Sequence, residues 1–240
     1  MVDHELIEIL KSRQLETIED AIAIMEGIDR ALPDGDGLKW FNWLYQRVTE
    51  AIGAEHPRAW EDPAWLRDLD VLFAELYFDG IERCLSDPDS APRAWRAILD
   101  RRHQPGIARV QYAAAGINSH INRDLAVALV QAWQAHGVAG RGRRTPQYRD
   151  YDRINVILSE VEVPALKALG TDLLRMADRV FGGADDWAIM QVVRAAREVA
   201  WGHGRRLARL GPESSTGRRY VRMLDDIAAA YARAMLAPLA

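Results

Sequence analysis

The stretch from Ile107 to Trp133 reads IARVQYAAAGINSHINRDLAVALVQAW. Apolar residues surround it almost completely at 100° per residue. A surface helix keeps a polar face, so this pattern belongs to a helix enclosed by others. The rest of the chain supplies the enclosure: apolar residues recur at helical spacing nearly throughout, and alternating β-branched runs bounded by turn signals are missing. The expected fold is therefore all-α, a bundle of about eight helices around a buried central helix near 107–133. Breaks fall at Leu32 to Gly37, Gly53 to Pro63, Asp87 to Pro92, Pro105-Gly106, Gly137 to Pro146, Gly182-Gly183 and Gly211 to Gly217, where Gly, Pro and Asp concentrate. Thr17, Asp185 and Ser214 or Ser215 stand where helix caps are needed. No segment has the length or composition of an interdomain linker, so residues 1–240 read as a single helical domain.

Composition excludes several classes. Cys84 is the only cysteine, which rules out an internal disulfide and a thiolate zinc cluster. The start Met1-Val2-Asp3-His4-Glu5-Leu6 lacks the basic and apolar regions of a signal peptide, and nowhere do about 18 apolar residues run together. A cytoplasmic protein with no membrane span is expected. The formal net charge of −4 disfavours nucleic acid and anionic lipid, so neither is expected as a partner. Of the 31 basic residues only Lys11, Lys39 and Lys167 are lysines and the other 28 are arginines, a skew we read as the codon usage of a GC-rich genome. There is no P-loop, dinucleotide fingerprint, nucleophile elbow, HExxH or Asp-Asp-x-x-Asp run.

Chemistry is expected where polar groups interrupt the buried helix, because each such group is costly unless it finds a partner. His120 and Asp124 are four apart and share a face, with Gly116 leaving room one turn earlier. A His and an Asp so placed make half of a divalent-cation site, or a base with its orienting carboxylate. Asn118 and Asn122 form a second pair at the same spacing and suit a structural network. On the segment Trp65 to Cys84, Asp68, Glu75, Asp79 and Glu82 share one side, while Leu66, Phe73, Ala74, Tyr77 and Ile81 share the other. Asp70 falls on that apolar side, where a carboxylate must be bonded, paired or metal-bound, or else rise in pKa. The competing reading for all of these residues is an architectural polar network.

Two later segments can complete a pocket. In Asp150 to Glu162, the core stripe Ile154, Ile157, Leu158 and Val161 runs beside a polar stripe of Asp152, Asn155, Ser159 and Glu162. In Asp185 to Leu210, His203 shares a side with Val192, Ala196, Val199 and Leu207, and is read as inward-pointing. The run Arg141 to Arg149 is the only concentrated positive charge; its Arg143 and Arg144 can hold a phosphate or carboxylate. Asp34-Gly35-Asp36-Gly37 is rejected as a calcium loop, since Leu38, Trp40 and Phe41 stand where further acids are required.

Three functions follow as expectations. The first is a small-molecule enzyme, a metal-assisted hydrolase by default, with Asp70, His120 and Asp124 as catalytic residues and Asp70, His120, Asp124 and His203 as ligands of a divalent metal. Its substrate is apolar or phosphorylated. The second is a terpenoid-type cyclase, with Asn155, Ser159 and Glu162 near a magnesium–diphosphate spacing, Val163 standing where an acid belongs, and Arg143 and Arg144 binding the diphosphate. The third is a non-catalytic helical module that binds an apolar ligand or a protein, in keeping with aromatics such as Trp40, Phe41, Tyr45, Phe73 and Tyr77.

The run Gly116-Ile117-Asn118-Ser119-His120-Ile121-Asn122-Arg123-Asp124-Leu125 resembles the signature of a bacterial, largely actinobacterial, family of helical proteins classed as a domain of unknown function. Leu69 to Ala74 with Tyr77-Phe78, and Asp150 to Asn155, match it in order, and the likeness extends from about Leu32 to the carboxyl end. The resemblance implies that His120, Asn122, Asp124, Asp70 and Asn155 matter, and brings no reaction, cofactor or substrate.

Overall fold

The computed structural model describes residues 2–138, 142–169 and 186–238. Arg141, Gly182-Gly183 and Asp185, and the side chain of Glu162, lie outside what is described. Every regular element among the described residues is helical: α1 (Val2–Lys11), α2 (Ile18–Ala31), α3 (Gly37–Ala54), a 3-10 turn (Pro57–Ala59), α4 (Pro63–Ser86), α5 (Arg93–Leu99), α6 (Arg109–Ser119), a π-helical turn (His120–Asp124), α7 (Leu125–Ala135), α8 (Pro146–Ala168), α9 (Asp186–Leu210) and α10 (Ser215–Met235). The all-α expectation holds. Counting α6, the π turn and α7 as one rod, nine rods are described where about eight were expected. The additional boundary lies between α1 and α2. No Gly or Pro marks it, but Thr17 and Asp20 form a reciprocal capping box that starts a new helix.

Local chemistry sets the other starts. Asp36, Asp62, Thr145 and Ser214 each accept a hydrogen bond from a backbone N–H in the first turn of α3, α4, α8 and α10. Pro63 and Pro146 open α4 and α8, where a missing N–H costs nothing.

The rod from Arg109 to Ala135 is central, as its apolar circumference predicts. α6 packs on α3 and α10, and α7 on α4 and α9. Two cores meet along it. One is aromatic and is built from α1 to α6 with the end of α10, including Phe41, Tyr45, Tyr77, Phe78 and Trp95. The other joins α3, α4, α7, α8 and α9 through Trp65, Leu69, Leu129, Tyr151, Ile154 and Trp201. Two glycines permit the close approach. A Cβ at Gly116 would lie 2.2 Å from the Phe41 ring, and one at Gly80 would lie 2.5 Å from the Trp95 indole. Phe41 and Trp95 can thus lean directly on the helices that carry the polar centre.

Candidate active site

The turn that interrupts the central rod is the five-residue segment His120–Asp124, where the Leu125 N–H reaches back to the His120 carbonyl. Such π turns widen the helix by one residue and recur at functional sites. Here the turn carries both members of the i, i+4 pair. His120 Nδ1 and Asp124 Oδ2 are 3.1 Å apart, and both residues are buried.

Asp124 is fully engaged. Its Oδ2 also accepts from Trp95 Nε1 at 2.9 Å, and its Oδ1 accepts from Arg123 Nη1. Arg123 Nε lies 3.7 Å from Asp225, whose carboxylate in turn accepts from the Arg93 and Ala94 N–H groups at the start of α5. With Arg123 and Trp95 both donating to Asp124, the proton in the His120–Asp124 contact belongs to His120 Nδ1. Burial lowers the His120 pKa, with Asp124 opposing it, so the ring is neutral near pH 7. The lone pair then resides on Nε2, which is buried and has no partner.

Rings surround this imidazole. Phe73 stacks on it, with centroids 3.4 Å apart and planes 5° from parallel, and Tyr45 meets it edge-on at 4.6 Å. Phe41 and Trp95 complete the cage at 5.7 and 6.0 Å. The environment therefore penalises charge on His120 and fixes the ring plane.

A cavity opens beside it at the seam between the two cores. It is narrow and partly open to solvent, with about 70 Å³ wide enough for the centre of a water molecule. A single water needs ~10–15 Å³ by that measure, so the cavity accepts several waters or a slender guest. The walls are mainly apolar: Leu44, Val48 and Ile52 from α3, Leu69 and Phe73 from α4, Ile154 and Leu158 from α8. The polar groups are few: His120, Asp70, Arg197, Thr49 and the phenols of Tyr45 and Tyr151.

Asp70 enters from α4. It keeps some accessible surface because it lines the cavity, yet its Oδ2 is shut off and unpartnered. Burial pushes its carboxyl up to about 7, against the pull of Arg197. Arg197 enters from α9, buried to 5% exposure. Its Nε donates to Asn155 Oδ1 at 2.9 Å and its Nη2 to the Tyr151 carbonyl at 2.7 Å, while its guanidinium lies 4.3 Å over the Tyr151 ring.

Of the residues singled out in the sequence, the structure brings His120 and Asp70 to one cavity, with Asp124 directly behind His120. Asn155 stands one layer back, holding Arg197 and bonded to Asp152. Asn118 donates to the Ala228 carbonyl and accepts from Asn122, the structural role expected of that pair. His203 does not line the cavity; its Nδ1 meets the Tyr220 hydroxyl at 2.6 Å. The stripe that placed it inward is not the buried one, since Val192 is 41% and Val199 52% exposed. The buried face of α9 is one position on, at Val193, Arg197, Ala200, Trp201 and Leu207. Arg143 is on the surface with Glu198, and Arg144 is exposed. Arg197 was the residue missed, and its signal is the one that exposed Asp70: a charge centred on an apolar helical stripe.

Together these features define an all-helical protein with a partly open, mostly apolar cavity and a carboxylate-oriented imidazole in its wall. The chain belongs to a family of unknown function, DUF5995, whose profile covers residues 18–238. No curated protein and no solved structure matches it.

Proposed function

We propose that the chain is a cytoplasmic small-molecule enzyme, a hydrolase of acid–base type, working on a small and mostly apolar ester within this cavity. One observation carries the reading: His120 Nε2 and Asp70 Oδ2 are buried polar atoms without partners, and both residues line the same hollow. Leaving two such groups unpaired costs on the order of 1–3 kcal/mol each, a cost a bound molecule removes. Trp65, Trp133 and Trp201 also bury unpartnered indole N–H groups, but away from this cavity. We also place the family's signature in Gly116 to Leu125 and the chain's origin among actinobacteria, on the resemblance and the arginine-rich composition.

In this mechanism His120 Nε2 takes a proton from a water, whose oxygen attacks the ester carbonyl, while Asp124 steadies the imidazolium through Nδ1. Protonated Asp70 gives its proton to the departing alkoxide. The imidazolium then returns a proton to Asp70 through water, which restores both groups and leaves one acid and one alcohol. Phe73 and the apolar walls hold the imidazole in place and keep bulk water away.

A divalent metal does not find a complete donor set among the described residues. No three His, Cys, Asp or Glu side chains gather there, and the oxygens of Asp124 are already engaged. Among the described residues that line the cavity, His120 Nε2 and Asp70 Oδ2 are the unpartnered donors, fewer than the three protein ligands of a catalytic zinc site, which favours the reading without a metal.

The test is turnover of short-chain p-nitrophenyl esters by the wild type and by His120→Gln, with folding checked by circular dichroism. The expected loss of kcat is about 10²–10⁴-fold, with the substrate affinity of the variant little changed. Equal rates for the two folded proteins would overturn the assignment. Activity that vanishes on chelation and returns with a stoichiometric metal would replace it by metal-assisted hydrolysis.

A further inference from the structure

Arg197 is a buried guanidinium in the wall of an apolar cavity, and among the described residues no carboxylate stands within ion-pair distance of it. Its two assigned bonds go to neutral oxygens, those of Asn155 and Tyr151. A charge-carrying fork is rarely buried against neutral acceptors alone, because desolvating it is repaid only by an anion or by unusually complete hydrogen bonding. Among the described residues Nη1 has no acceptor, and Arg197 is one of the few polar residues that line the cavity.

We infer that the cavity binds a small monocarboxylate with a slender apolar tail, its carboxylate held by Arg197 and sharing a proton with Asp70. In the hydrolysis proposed above this guest is the acid released. The inference rests on that reading only for the choice of cavity, not on turnover by His120. Charge balance selects the class. With His120 neutral and Asp70 protonated, as below pH 7, the wall carries one net positive charge, which a planar monocarboxylate neutralises, while a phosphate or phosphonate is tetrahedral and brings a third oxygen that the apolar walls leave without a donor. Nε and one N–H of Nη2 are already committed, which leaves three N–H donors for the guest carboxylate, two on Nη1 and one on Nη2. The protonated Asp70 carboxyl lines the same cavity and supplies a further donor to the guest. The narrowness of the cavity and its mainly aliphatic walls set the tail as short and apolar.

Proton sharing makes the binding pH-dependent. Asp70 on α4 faces Arg197 on α9, His120 on the central rod with Asp124 behind it, Tyr45 on α3 and Tyr151 on α8. Burial already holds Asp70 near 7, and a second carboxylate beside it raises it further. The complex therefore takes up a proton, and affinity falls as pH rises above 7.

The test is calorimetric titration and thermal shift of the full-length protein with isovalerate, its isosteric amide and isobutylphosphonate, at pH 6, 7 and 8. Isovalerate is expected to bind at least tenfold more tightly than either analogue, with affinity falling about fivefold between pH 7 and pH 8. Asp70→Asn is expected to flatten that pH dependence, and Arg197→Gln to lose at least tenfold in affinity. Should Arg197→Gln fail to fold, the comparison of carboxylate with amide on the wild type still decides. Equal binding of acid and amide, tighter binding of the phosphonate, or no binding of any of the three overturns the inference. Carboxylate binding without ester turnover sinks the hydrolase alone, and turnover without carboxylate preference sinks this inference alone.

Discussion

Replacing Asp124 with alanine is expected to lower the unfolding free energy by about 3–5 kcal/mol, the usual cost of removing one partner from a buried ionic cluster. Three donors lose their acceptor at once: Trp95 Nε1, His120 Nδ1 and Arg123 Nη1. Trp95 and His120 are enclosed by aromatic rings and cannot turn to water, and Arg123 has only 14% of its side chain exposed. Asparagine keeps one acceptor oxygen and should cost less. Urea denaturation at pH 7 measures both. A loss below about 1 kcal/mol for the alanine variant would mean that water replaces the carboxylate, and that the dyad is less rigid than its geometry implies.

The second large effect is a change in how stability varies with pH. The Asp70 carboxyl is raised in the folded chain, from its ordinary 3.8 to about 7, because burial penalises its charged form. Between these values the folded state holds a proton that the unfolded state has released, so stability declines as pH climbs from about 4 to about 7. It is fully present below the unfolded value and fully lost above the folded one. At about 1.4 kcal/mol per pH unit the loss reaches up to about 4 kcal/mol. Burial shifts His120 the opposite way, so its contribution rises with pH toward its ordinary value near 6.5. Subtracting wild type from Asp70→Asn cancels the His120 contribution. The difference in unfolding free energy is expected to favour the variant progressively from pH 4 to about pH 7 and to level off above it, as measured by denaturant titration from pH 4 to pH 8. Parallel pH profiles for the two proteins would place the Asp70 carboxylate in contact with solvent.

Much of this arrangement is legible in the residues themselves. The rod from Arg109 to Ala135 is betrayed by apolar side chains on every side, since only enclosure makes that pattern favourable. Asp70 stands out because a carboxylate on an apolar stripe conflicts with its neighbours, and the structure places it in the cavity wall. His120 and Asp124 follow from a spacing of four. Arg197 was missed because α9 is amphipathic with a blurred edge: Val192 and Val199 look like core, yet the chain buries Val193, Ala200 and Trp201 instead. A rotation of about one residue decides which of His203 and Arg197 faces inward, and tryptophan volume outweighs two valines in setting it. The cavity was not legible at all. It arises where two separately packed cores fail to interlock, a property of shapes and not of pattern.

The turn from His120 to Asp124 has one more residue than an ordinary helix would use to cover the same rise. The two halves of the rod are therefore phased as though that residue were absent, and a chain one residue shorter there could run straight through with α6 and α7 keeping their neighbours. What such a deletion removes is the offset that seats a ring nitrogen over a carboxylate while the ring itself lines the hollow. Durability and reactivity in this molecule are thus governed by different parts of one rod: its ends anchor the architecture, and its surplus residue licenses the chemistry.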